Sequence, residues 1–131
     1  MPSARIVLLA CFALVLASGC RGLTPEETFF RSTQAFADGE VDEGISYFSE
    51  RLRRARLPQD LEYYYSVEDN RRGVAFLLED AQFQVLSETD SHVHARVIWT
   101  TGRIENVHLV KESGQWRLDI AQPRGSSLPR Q

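Results

Sequence analysis

His92, His94 and His108 are the residues whose type and spacing most invite a chemical role, because three imidazoles can build a catalytic zinc site. His92 and His94 stand two apart in a run of period two, so they share one face of a strand. His108 alternates with Val107 and Leu109, which puts it on the same outward face. That face is the polar one, however, and no carboxylate is obviously placed to orient the rings. Exposed strand histidines are therefore the expectation, and neither a metal nor another cofactor is assigned. The run Tyr63-Tyr64-Tyr65 distributes hydroxyls around a helix, so at least one belongs at the surface or in a cleft. Tyr64 follows the apolar helical period. Trp99 and Trp116 occupy the apolar phase of their strands, as core residues or as the lining of a pocket. Those three are the candidate pocket or core residues.

These residues must be positioned by two kinds of element. Thr24-Pro25-Glu26-Glu27 is a helix start: Thr24 can accept at the N-cap, Pro25 suits the first helical position, and Glu27 completes a capping box. Phe29, Phe30, Thr33, Phe36 and Ala37 give an apolar stripe at helical spacing. Asp38-Gly39-Glu40 ends it, with Gly39 as the left-handed residue. Val41, Ile45, Phe48 and Leu52 predict one second helix, closing an αα-hairpin. Its end carries Arg51, Arg53, Arg54 and Arg56, read as a solvated last turn that suits the helix dipole. After Leu57-Pro58 a third helical stretch is predicted from Gln59 to about Glu79, with a break near Asn70 or Gly73. Val74 to Leu78 would also be acceptable as a strand.

From Ala81 the period changes to two. Ala81, Phe83 and Val85 form one apolar phase, and Val93, Ala95, Val97 and Trp99 a second. A third run spans Arg103 to Lys111, and a fourth holds Trp116, Leu118 and Ile120. Glu88-Thr89-Asp90-Ser91, Thr101-Gly102 and Ser113-Gly114 are turns of hairpin length. The fold class expected is α+β: N-terminal helices packed on one face of an antiparallel four-stranded meander.

A chain of 131 residues with 43% hydrophobic and 25% charged residues can build one ordinary core. Fifteen basic against eighteen acidic side chains argue against a nucleic-acid partner, since phosphate binding needs a basic surface. The N-terminal run Ile6 to Leu16 is apolar, and Ala17-Ser18-Gly19-Cys20 follows it. A run of that length before small residues is a secretory pattern, shorter than the roughly 18 residues of a membrane-spanning helix. With its terminal Cys20 the stretch resembles a bacterial lipoprotein signal, although Leu is commoner where Ala17 stands. The alternative is an ordinary signal peptide ending on a chance cysteine. The resemblance implies a leader over residues 1–19, lipidation at Cys20, a tether over 20–23 and anchorage in the bilayer. Arg21 stands where an inner-membrane retention signal would place Asp, so the implied address is the outer membrane, facing the periplasm. Cys11 would be discarded with the leader, leaving the folded domain without a disulfide. Arg21 to Thr24 spans at most about 14 Å. The domain is expected over 24–121, followed by a patternless, disordered tail over 122–131.

Pro25-Glu26-Glu27-Thr28-Phe29-Phe30, the Asp-Gly-Glu turn and the ending from His108 to Leu118, with Gly114-Gln115-Trp116-Arg117-Leu118, resemble the nuclear transport factor 2-like superfamily. More narrowly, the chain is similar to its small bacterial lipoproteins. The resemblance implies a cone, a curved sheet wrapped against helices, often with a pocket inside. Some enzymes of the superfamily are isomerases, cyclases or dehydratases with an Asp, His or Tyr in the cone, the isomerase pattern pairing an aspartate base with a tyrosine and a protonated acid. Tyr47, Tyr63, Tyr64 or Tyr65 could supply a phenol and Asp119 or Asp80 a carboxylate, but none matches a catalytic motif. The functional expectation is a non-catalytic envelope lipoprotein that binds a protein, peptide or small apolar ligand. A small enzyme using the cone pocket is the alternative.

Overall fold

The Thr24 side chain accepts a hydrogen bond from the Glu27 backbone N–H at 3.1 Å and starts helix α1 (Pro25–Ala37). The Glu27 carboxylate accepts a hydrogen bond from the Thr24 hydroxyl in return, at 3.0 Å. In the computed structural model, which describes residues 22–119, α1 is closed at its far end by Gly39 at φ 79°. The Gly39 and Glu40 N–H groups donate back to the Phe36 and Ala35 carbonyls, the doubly bonded left-handed cap.

The predicted second helix is two short ones, α2 (Val41–Ser46) and α3 (Glu50–Arg53). The physical reason is tertiary. The Ser49 N–H donates to the Leu118 carbonyl and the Leu118 N–H to the Tyr47 carbonyl, both at 2.8 Å. Phe48 thus forms a parallel bridge with the last strand and covers its free edge. Ser49 then caps α3 through its hydroxyl.

The third helical stretch also divides, into α4 (Leu57–Tyr65) and α5 (Glu68–Leu78). The break lies at Ser66-Val67, earlier than either predicted position. Val67 is extended there, at φ −88° and ψ 122°. Val74 to Leu78 is helical.

Strands β1 (Gln82–Glu88), β2 (His92–Ile98), β3 (Ile104–Glu112) and β4 (Gln115–Leu118) pair in that order, all antiparallel. The β3–β4 hairpin turns on Ser113 and Gly114, with φ of 50° and 77°, the left-handed pair that matches strand twist. A bulge between Val85 and Ser87 shifts the register of β1, and Val85 is exposed despite its apolar phase. Phe29, Phe36, Phe48, Val97, Leu109 and Leu118 centre the core between the helices and the inner sheet face. The α+β architecture is as expected.

Candidate functional site

Helices α4 and α5 do not close fully onto the sheet. They leave a cleft of about 650 Å³ between themselves, α1 and the inner face of the sheet. Phe29, Thr33 and Phe36 of α1 form one wall, joined by Phe48. Leu57, Leu61, Tyr64 and Tyr65 come from α4, and Asp69, Val74, Phe76 and Leu77 from α5. The sheet side contributes Trp99, Arg103, Glu105, Val107 and Leu118. Apolar walls with a few polar groups, at this size, are the usual make-up of a small-molecule site.

The end of α4 is held by side chains of α5. Asn70 Nδ2 donates to the Tyr64 carbonyl at 2.8 Å, and Arg71 Nη1 to the Tyr65 carbonyl at 2.6 Å. Both bonds satisfy acceptors that a helix end leaves open, and they fix the two tyrosines. The Tyr65 ring stacks on Phe36, with centroids 4.9 Å apart and planes 15° from parallel. Tyr64 meets Tyr65 edge-on, also at 4.9 Å. Burial raises the Tyr65 pKa above the ordinary 10, and the nearby Tyr64 and Glu105 add to the rise. The phenol therefore stays protonated across the physiological range and can donate a hydrogen bond.

Trp99 is 8% exposed and packs 5.8 Å from the Phe29 ring. Its indole N–H is buried and has no hydrogen-bond partner. Buried donors of this kind normally find an acceptor, and this one is shielded from solvent.

Glu105 reaches the cleft by register. It pairs with Val97, which is fully buried, and directly opposed residues share a face. Its carboxylate meets Arg103 Nη2 at 3.1 Å. Arg103 itself is held beside Trp99, whose backbone N–H donates to the Arg103 carbonyl at 2.9 Å.

Of the candidate pocket residues, Trp99 and Tyr64 line the cleft and Trp116 does not. Trp116 lies opposite Lys111 on edge strand β4, half-buried, with the Lys111 ammonium 5.1 Å from its ring centroid. The helices and Phe48 cover β4 at Leu118 and leave the ring two residues earlier partly open. Asp119 is occupied elsewhere: Ser49 Oγ and Arg51 Nη2 donate to its carboxylate at 2.7 and 2.8 Å. Asp80, Tyr47 and Tyr63 are not among the cleft residues. Cys20 lies outside the described residues, as do the leader and the C-terminal tail.

The three histidines do share the outward face. His94 opposes His108 directly, and His92 opposes Val110. Among the described residues no group of three or more His, Cys, Asp or Glu side chains is arranged to hold a metal ion. His92 Nδ1 is instead 2.8 Å from the Ser91 hydroxyl.

Sequence reading missed Glu105 and Asp69 and did not single out Tyr65. The signal for Glu105 was present, since it stands in phase with Val107 and Leu109. Asp69 and Tyr65 carried none, because their placement depends on the break at Ser66-Val67.

Searches of protein families and of curated proteins find no match to this chain. Among solved structures it is similar to one from Campylobacter jejuni described as a suspected NTF2-like transpeptidase, with a TM-score of 0.53. The two are 14% identical, and the match covers 72% of this chain and 97% of the other. At that identity the likeness concerns the fold alone, and the fold of this chain is nuclear transport factor 2-like.

Proposed function

We propose that the chain is an envelope lipoprotein, anchored through acylated Cys20, whose cone binds a small, largely apolar ligand without transforming it. The observation that carries the binding reading is the cleft of about 650 Å³, walled by aromatic and aliphatic side chains. Pockets of about 300–1,000 Å³ with such walls commonly enclose drug-sized molecules. The anchor rests on the sequence stretch ending at Cys20, and the short tether would hold the Thr24 end of α1 near the bilayer. The proposed address is the outer membrane, facing the periplasm.

Two measurements test this separately. Fatty-acid labelling of the wild type should disappear in Cys20→Ala, and equal labelling of both would remove the anchor. Titration with apolar fluorescent probes should show saturable binding that Trp99→Phe or Leu61→Glu weakens. Binding unaffected by both changes would place the ligand elsewhere.

A second reading, a small enzyme of isomerase, cyclase or dehydratase type, is favoured by one feature. The Tyr65 phenol and the Glu105 carboxylate line the same cleft, a donor and a base that could act on one substrate. Turnover of a bound ligand, lost in both Tyr65→Phe and Glu105→Gln, would establish that reading over simple binding.

A further inference from the structure

The cleft combines aromatic rings with carboxylates. Tyr64, Tyr65, Phe76 and Trp99 present rings to it, and Asp69 and Glu105 present acidic side chains. Glu105 is the informative member. Along the inner phase of β2 and β3, Val93, Ala95, Val97, Val107 and Leu109 are all buried apolar residues, and Glu105 interrupts that series beside Val97. Its side chain keeps 43% exposure on the open side of the cleft, where the ionised carboxylate stays hydrated and can attract a counter-charge. Arg103 supplies one from the protein, but its side chain is 71% exposed and the ion pair is open to solvent screening. Trp99 follows Val97 by two residues on the same strand phase, which makes it the diagonal neighbour of Glu105.

We propose that the cleft takes an organic cation: an alkyl- or aryl-substituted ammonium group seated between the tyrosine and tryptophan rings and the Glu105 carboxylate. This rests on the reading of the cleft as a ligand site and specifies its ligand class. The negative faces of aromatic rings attract a desolvated cation, and a carboxylate beside them adds a direct counter-charge. Phe29, Leu57 and Leu61 accommodate the apolar body. An anionic ligand would meet Asp69 and Glu105, and the guanidinium that could receive it already faces Glu105.

The experiment is calorimetric titration of the full-length chain with three probes of similar shape. These are benzyltrimethylammonium, its uncharged isostere neopentylbenzene, and the anion phenylacetate. The expected result is at least about tenfold tighter binding of the cation than of the isostere, a discrimination that several rings and a carboxylate acting together support. In Glu105→Gln that preference should collapse while neopentylbenzene binding holds; Asp69→Asn is the second variant should the first fail to fold. Equal affinity for cation and isostere overturns the cationic assignment and leaves the cleft as an apolar site. Tighter binding of phenylacetate overturns it in favour of the Arg103 and Tyr65 donors. A preference that survives in folded Glu105→Gln removes Glu105 from the site. Binding of none of the three probes overturns the cleft reading itself.

Discussion

The imidazole rings of His94 and His108 lie face to face across β2 and β3, their centroids 4.5 Å apart and their planes 3° from parallel. Direct opposition in the strand register brings them together, on the sheet face away from the cleft. Charge on His94 at this separation opposes charge on His108. Partial burial lowers the His108 pKa below the ordinary 6.5, and His94 lowers it further, while Asp119 pulls the other way.

A pH dependence follows with a definite sign. The unfolded chain takes up the His108 proton in the ordinary range, whereas the folded protein takes it up only at lower pH. The contribution to stability is therefore present above the ordinary histidine range and is lost as pH falls through it toward the folded pKa. The melting temperature should drop as pH falls through the ordinary histidine value of about 6.5, and His108→Gln should flatten that drop. In His94→Gln the His108 titration followed by NMR should move upward. An unchanged titration would show that the rings do not interact electrostatically.

Two helical glycines should respond oppositely to alanine. At Gly44 of α2 a Cβ would lie 2.7 Å from Phe36 ring atoms, and the Gly44 carbonyl already accepts from Ser32 Oγ at 2.8 Å. Gly44→Ala should cost about 1–3 kcal/mol by overpacking, against a helix preference of about 1 kcal/mol in the other direction. At Gly73 of α5 nothing stands within 4 Å of the added atom. Gly73→Ala should stabilise by about 0.4–1 kcal/mol. Urea denaturation of both variants checks the contrast, and two changes of the same sign would contradict the close approach at Phe36.

The two tryptophans should separate by burial. Trp99→Ala should cost about 3–5 kcal/mol, as for a buried aromatic. Trp116→Ala should cost less than half of that, because its ring is only half-buried and its cation–π contact with Lys111 adds about 0.5–1 kcal/mol. Equal losses in thermal melts would mean that Trp116 is enclosed by more than the sheet edge.

Asp119 joins the last strand to the short helix α3. Its carboxylate accepts from the buried Ser49 hydroxyl and from Arg51, and its N–H donates to the His108 carbonyl at 2.8 Å. Asp119→Ala should lower stability by about 1–3 kcal/mol, the cost of leaving a buried donor unpaired. Ser49→Ala should cost less on the Asp119→Ala background than on the wild type, because only the cap of α3 is then left to lose. Simple additivity in denaturant melts would dissociate the two residues.

The sequence by itself determined the α+β order, the start of α1 and the outward face of the histidines. Each depends on local signals: a cap at Thr24, a left-handed glycine at 39, and strict alternation through β2. It also supplied the inner phase of the sheet, from which Glu105 could have been read. Tertiary structure decided where the helices break. Phe48 leaves the helical period because β4 offers it a bridge, a bond to a residue seventy positions away that no local window contains. The division of α4 from α5 at Val67 likewise depends on Asn70 and Arg71 folding back to bond the carbonyls of Tyr64 and Tyr65. That break turns Tyr65 onto Phe36 and leaves room beneath it. A cleft is a gap between elements, so its existence is set by how closely they pack, which the period of any single element leaves open.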